Sequence, residues 1–509
     1  MPGHREPTHS DLDDDLELQE LRRPSSGVAQ ATTDNGHAVK GTDLADDLYS
    51  SGSNSDLDAA PKKADKDEKT SKAEDTTRSP PAGSEDKDYP SQRQRNIFVR
   101  VVQTIIPNGG LLSGVFNLAS VTLGAGIMSI PSSLNTSGLI MGIVYLVIIT
   151  ALTVFSITLL TQAMLKTGIY SFEHLARAMF GRGGDIIVAV LMWLLCFGGA
   201  VGYLIAVGDI FTQIFGHPGV PHFLQTDQGR RCIVSAVWLC FMLPLVLPKK
   251  INSLRYASAA GVCFIVLFVI CIIWHSAKYG LANGIRDDLV MVSHGNDGVS
   301  GLSIFMFSYL CQVNVGRILA EATTKTTWSL TMQAILSCAM CGTLYFLAGF
   351  FGYVEFGPGL SGNIIKEYNP YTSPIFFVVF IGLIVKLCAA FSLNMLACRT
   401  ALFSVVHWDV ETMPYWKHTI VSVTFAVGAL ILGLFVPDIN IVFGLVGSFC
   451  GGFIAFIFPA LFVMYAGNWS FTTVGVWYYL ATYFLLICGV IAVVFGTGSS
   501  IYSAVMKYS

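Results

Sequence analysis

From Leu111 to the C-terminal end, long apolar runs alternate with short polar connectors. Crossing about 30 Å of hydrocarbon takes roughly 20 helical residues at about 1.5 Å each. Eleven stretches reach that length: Leu111–Ser132, Leu139–Leu165, Ile186–Phe215, Cys232–Leu247, Ala257–His275, Gly301–Ile318, Met332–Tyr353, Pro374–Phe403, Ile420–Val436, Ile441–Tyr465 and Val474–Gly496. The pattern predicts an all-α integral membrane protein with eleven transmembrane helices spread over residues 93–509. The first 92 residues are different. Acidic runs such as Asp13–Asp15 and scattered Ser, Gly and Pro give them no apolar periodicity, so they are expected to form a disordered acidic cytoplasmic tail. Without an apolar h-region the tail is no signal peptide, and the first span must direct insertion. Its serines are open to phosphorylation, although a plain solvated tail explains the composition as well.

Two spans carry signs of interruption. In the first, Gly124-Ala125-Gly126 is followed by Pro131; glycine leaves helical geometry cheaply, and a proline is expected to start the next half-helix. In the sixth, Phe307-Ser308-Tyr309-Leu310-Cys311-Gln312-Val313-Asn314-Val315-Gly316-Arg317 concentrates polar groups that lipid would penalise. Interrupted helices free backbone N–H and C=O groups at mid-membrane, where they serve the carboxylate and ammonium of a zwitterion. Spans one and six are five apart, as two inverted five-helix repeats would place them, although the halves show no internal sequence similarity. A Gly-Ala-Gly patch also suits close helix packing, which is the competing reading of the first break.

Composition agrees, with 53% hydrophobic and 13% charged residues. Residues 1–92 hold 11 of the 31 Lys+Arg and 21 of the 34 Asp+Glu, leaving the tail near −10 and the remainder near +7. With the tail inside, Arg93, Arg95, Arg100, Lys166, Arg177, Arg182, Lys249, Lys250, Arg255, Lys325, Arg399 and Lys417 are cytoplasmic, against six basic residues outside. That bias predicts a cytoplasmic N-terminus and an outside C-terminus. The sequons at Asn135 and Asn468 are poor glycosylation sites, one hugging the membrane and the other cytoplasmic. All 12 cysteines lie in or beside the spans, where packing is their expected role, including the Cys338/Cys341 pair.

The spans contain no HExxH, GxSxG, aspartate pair or paired histidines, so an enzyme is not expected. No cofactor, metal or nucleic acid is implied. A channel would need a continuous polar stripe, whereas polarity here gathers at two breaks.

The chain resembles the amino acid/auxin permease family of the amino acid-polyamine-organocation superfamily, most like its protozoan branch. The resemblance covers residues 107–505 and rests on Gly114-Val115-Phe116-Asn117-Leu118 with Gly124 through Pro131, Ser171-Phe172-Glu173 with Phe180-Gly181, Gly208-Asp209, Pro248 with Leu254-Arg255-Tyr256, and Leu445-Val446-Gly447 with Phe458-Pro459-Ala460. It implies a LeuT-like fold, a 5+5 inverted repeat plus one extra helix, that moves amino acids by alternating access. The substrate residues it implies are Thr122, Gly124, Ala125, Gly126 and Ile127 in span one and Tyr309, Cys311, Gln312 and Asn314 in span six. Facing residues of spans three and eight are left unassigned.

Coupling is less uniform. Several family members use sodium, held by first-helix oxygens and eighth-helix hydroxyls. Here Asn117 is present, Ser120 stands where a second asparagine is expected, and span eight offers Ser392 and Asn394, so sodium is in doubt and a proton or simple exchange is expected. Lys386, about twelve residues into span eight, falls near mid-membrane, where burial can turn an amine into a proton carrier. Alternatively it stays charged and pairs with an acid such as Asp209. Arg317 replaces a common family proline, and with Glu321 it forms an i, i+4 structural charge pair, an acidic-substrate site being the alternative. The expected location is the plasma membrane, with a vacuolar or lysosome-like membrane as the alternative. A non-carrier reading also stands: an amino acid sensor (transceptor) signalling through the tail.

Overall fold

The structure, a computed structural model, describes residues 110–248, 254–406, 408, 412–467 and 469–508. The acidic tail, the basic residues Arg93, Arg95, Arg100, Lys249 and Lys250, and the Asn468 sequon lie outside the described residues. Among those described there is no strand. Ten helices among the described residues are long and apolar enough to cross a membrane, and a bent pair, taken as one span, makes eleven.

That pair is α1 (Leu111–Thr122) and α2 (Gly126–Ser137), bent by 62°. Helix α3 (Leu139–Thr167) follows with almost no loop, because Gly138 turns the chain at φ 85°, a left-handed conformation that side chains resist. A short helix α4 (Phe172–Phe180), capped by the Ser171 hydroxyl, leads to α5 (Arg182–Phe215). Then come α6 (Asp227–Val246) and α7 (Leu254–His275), continued by a π turn to Gly280. The sixth span consists of α8 (Asn296–Ser308) and α9 (Val315–Glu321), and α10 (Thr327–Phe356) is the seventh. Helices α11 (Ile375–Val406), α12 (Tyr415–Phe435), α13 (Ile439–Tyr465, with a π turn at Gly452–Ile457) and α14 (Val476–Met506) complete the chain.

An apolar face cannot sort inside from outside in a bundle whose surroundings are also apolar, so packing is set by small residues and polar pins. α2 and α8 lie against each other, α8 also against α13, while α5 runs along α11 and α10 backs α1, α2 and α3. Arg399, 1% exposed on α11, pins the far end of α6 by donating to the carbonyls of Val246 and Pro248, both at 2.7 Å, and to Ser422 Oγ at 3.2 Å. It thereby satisfies carbonyls that end a helix without intrahelical partners. Cys338 and Cys341 are both fully buried in α10.

One expectation about the first break is corrected. Helix α2 restarts at Gly126, five residues before Pro131, so the proline sits inside the half-helix instead of opening it. Its missing N–H costs one bond to the Ile127 carbonyl, and its ring packs where Gly352 of α10 leaves room.

Candidate binding site

The first break is a tight one. Leu123 leaves the helix at ψ 83°, and the Gly124 N–H turns back to the Thr122 carbonyl at 2.9 Å. The next three N–H groups, of Ala125, Gly126 and Ile127, have no acceptor among the described residues, whereas Met128 N–H donates to the Ala125 carbonyl at 3.0 Å. They are the orphan donors at the start of α2, the positive end of its dipole. Gly124, one of the substrate residues the resemblance implies, spends its own N–H in the turn.

Span six unwinds differently. Leu310 N–H bonds back to Phe307 O at 3.1 Å, a single 3-10 turn covers Gln312–Asn314, and the span then continues, reading through from Asn296 to Glu321. The Cys311 N–H is taken by the Gln312 side-chain oxygen at 3.1 Å, and the Gln312 amide nitrogen is buried without a hydrogen bond among the described residues.

The two interruptions are joined by one side chain. The Tyr345 hydroxyl of α10, fully buried, lies 2.8 Å from both the Thr122 and the Ser308 carbonyl oxygens and donates to one of them at a time. Gly126 permits the close approach of α2 to α8: a Cβ there would stand 2.5 Å from Ser308 Oγ and 3.0 Å from Ser308 Cα.

Beside these breaks lies a cavity whose empty volume, open mouth included, is about 530 Å³. Span one contributes Val121, Thr122, Gly124, Ala125 and Gly126; span six contributes Phe307, Ser308, Leu310, Val313 and Asn314; Leu195, Cys196, Gly199 and Tyr203 come from α5, and Asn394 from α11. No lining side chain carries a formal charge. The Tyr203 hydroxyl points at the Gly124 peptide, 3.0 Å from where a Cβ would sit, and makes no hydrogen bond among the described residues.

Thus Thr122, Gly124, Ala125, Gly126 and Asn314 of the sequence-derived set line the cavity. Ile127, Tyr309, Cys311 and Gln312 do not, and their side chains are buried at 1% exposure or less. Tyr309 is occupied elsewhere, its hydroxyl 2.7 Å from Thr150 Oγ1 and its ring edge-on to Tyr345. The wall from α5, expected to face the site but left unassigned in sequence, supplies Leu195, Cys196, Gly199 and Tyr203. Its one hydroxyl, on Tyr203, follows the small-residue run Gly198-Gly199-Ala200-Val201-Gly202, a signal of close approach that the sequence did display.

The ion-coupling candidates separate. Lys386 is 3% exposed and donates to the Ser120 carbonyl of α1 at 3.0 Å, its stem filling the space left by Gly261 of α7. Ser392 bonds back to Cys388 O at 3.1 Å, Asn394 belongs to the cavity, and Asn117 is half-buried on α1 without a hydrogen bond among the described residues. Asp209, named above as an acid for Lys386, is engaged instead by Lys366 Nζ and Arg230 Nη2, each at 3.1 Å, and by Asn363 Nδ2 at 2.9 Å. Arg317 Nε lies 3.6 Å from Glu321 Oε1, with side chains 58% and 36% exposed, away from the cavity lining.

A multi-pass helical membrane protein with a cavity set against an interrupted helix is the class these features define. Residues 107–502 match the family model described as transmembrane amino acid transporter protein, and the chain belongs to that family. It is 26% identical over 362 residues to vacuolar amino acid transporter 5 of Schizosaccharomyces pombe, covering 70% of this chain and 84% of the relative. Amino acid transporter AVT6E of Arabidopsis thaliana is 24% identical, with 78% of this chain and 84% of the relative covered. Human solute carrier family 38 member 10 is 25% identical, and the match takes in 70% of this chain but 32% of that longer protein. Among solved structures, a nucleobase-cation-symport-1 family transporter with bromovinylhydantoin bound aligns at a TM-score of 0.48 and 14% identity, covering 78% of this chain and 92% of that one.

Proposed function

We propose that the protein is a secondary active transporter that carries an amino acid by alternating access, with the substrate held in the cavity beside the first break. The observation that carries this reading is the set of unpartnered N–H groups at Ala125, Gly126 and Ile127, beside a cavity that spans one and six share with α5 and α11. A carboxylate satisfies those donors. The substrate's ammonium would meet carbonyls near the breaks, where the backbone carbonyls of Tyr309 and Leu310 accept no backbone hydrogen bond among the described residues. Tyr203, Ser308, Asn314 and Asn394 are left to meet the side chain. A cationic or anionic side chain would be buried there without a counter-charge, which favours neutral amino acids.

For coupling, Lys386 Nζ occupies the Ser120 carbonyl, an oxygen of the first helix, the helix whose oxygens the resemblance assigns to sodium in other members. This supports a proton or exchange in preference to sodium, with Lys386 the proton carrier. Relatives named as vacuolar transporters support an internal membrane as the alternative to the plasma membrane. Uptake of the twenty amino acids into liposomes, with and without sodium and proton gradients, tests the reading. Neutral amino acids should enter without sodium, and accumulation that requires sodium would overturn the coupling assignment.

A further inference from the structure

Residues 357–374, between α10 and α11, are fastened at both ends of their path. Asn363 and Lys366 grip Asp209 on α5, the Tyr371 hydroxyl donates to the Ile214 carbonyl at 2.5 Å, and Asn135 of α2 donates to the Pro358 carbonyl at 3.2 Å. Ile364 and Ile365 are fully buried, the former against Gly352. The segment therefore ties α2 to α5, which are both walls of the cavity.

Its other fastening is chemically unlike the first. Asp209 faces two basic side chains, Lys366 and Arg230. Glu355, at the end of α10 with a side chain 5% exposed, is in contact with His275 Nδ1 of α7, and its second oxygen accepts from the Tyr368 hydroxyl at 3.4 Å. Tyr368 is 1% exposed, stacks on Phe376 with centroids 4.4 Å apart, and lies edge-on to His275 at 5.2 Å. The other titratable groups around it are Tyr279, its ring tilted against His275 with centroids 4.6 Å apart, and Cys271 and Glu367, within electrostatic reach of Tyr368. Lys278 on the same π turn is directed onto the rings of Trp274 and Tyr279.

Among the described residues, His275 is thus the only group in contact with Glu355 that can neutralise it. With a neutral imidazole the buried cluster holds one uncompensated negative charge, and one proton removes it. A buried charge without its partner is costly, and histidine is the side chain whose ordinary titration falls in the physiological range. We propose that His275 and Glu355 form a proton-binding site that keeps residues 357–374, the strap that bridges α2 and α5, seated. The proton here sets the strap and need not cross the membrane, so the site is separate from coupling through Lys386. Any effect of the strap on transport rests on the transport reading; its linkage to protons does not.

Hydrogen exchange of the strap in the purified full chain tests this at about pH 5.5 and 7.5, each rate corrected for intrinsic chemistry. The wild type should exchange at least about fivefold faster at the higher pH, because a proton on the pair compensates the buried Glu355 carboxylate and its loss leaves that charge without a partner. Glu355→Gln should show slow exchange at the higher pH, His275→Gln should remove the difference, and Tyr368→Phe should speed exchange at both. Equal corrected rates in the wild type, or a full wild-type difference in either His275→Gln or Glu355→Gln, would overturn the proposal. A strap that responds to pH in a protein that moves no amino acid would sink the transport reading and leave the proton site standing.

Discussion

Tyr345→Phe removes a single oxygen atom and so isolates the link between the two interrupted spans. The Thr122 carbonyl keeps the Gly124 N–H, but the Ser308 carbonyl loses the only donor it has among the described residues outside its helix. Leaving a buried carbonyl unsatisfied costs about 1–3 kcal/mol. At about 1.4 kcal/mol per decade, the joined arrangement of breaks becomes about 5- to 150-fold less populated. Apparent substrate affinity falls by the fraction of molecules that remain competent. The half-saturating concentration for uptake should therefore rise about fivefold or more, measured at matched surface expression. Tyr353→Phe is the control: the same atom is lost eight residues along α10, from a hydroxyl that accepts from the Val290 N–H at 2.9 Å, outside the cavity lining. Half-saturation within twofold of wild type, or equal to that of Tyr353→Phe, would refute the bridging role.

Further outcomes follow from the same contacts. Gly126→Ala forces α2 away from the Ser308 backbone, a strain of about 1–3 kcal/mol, and should depress uptake strongly while the protein still reaches the membrane; near-normal transport would mean the two helices are not held in register at Ser308. Lys386→Met should leave amino acid binding detectable by thermal shift but abolish the response of uptake to a proton gradient, and a retained response would remove Lys386 from coupling. Arg317→Gln breaks an exposed ion pair worth about 0.5 kcal/mol, so stability and the preference among acidic, neutral and basic amino acids should both persist; a switched preference in a substrate panel would make Arg317 a specificity residue.

The spans were legible because hydrophobic length is a demand of the bilayer and not of any partner helix. Their ends were not. The last span was expected to stop at Gly496, yet the helix runs on to Met506, because Ser499 and Ser500 are buried and Ser499 donates to the Asn296 carbonyl at 3.0 Å. Only tertiary contact makes those polar residues helical. The first break was written in its glycines, although Pro131 pointed to the wrong restart. Tyr203 and the position of Asn394 depended on the rotation of α5 and α11, and helices apolar all round give no stripe from which rotation is read. The pairing of His275 with Glu355, 80 residues apart, is a product of the fold alone.

Counterflow in liposomes reconstituted with the purified full chain bears most directly on whether this cavity carries an amino acid across the membrane. Preloading with an unlabelled neutral amino acid should accelerate entry of the labelled one without sodium, and Gly126→Ala should suppress that acceleration. Binding of the same amino acid with no counterflow and no uptake under any ion gradient would contradict the carrier reading and leave a sensor in its place.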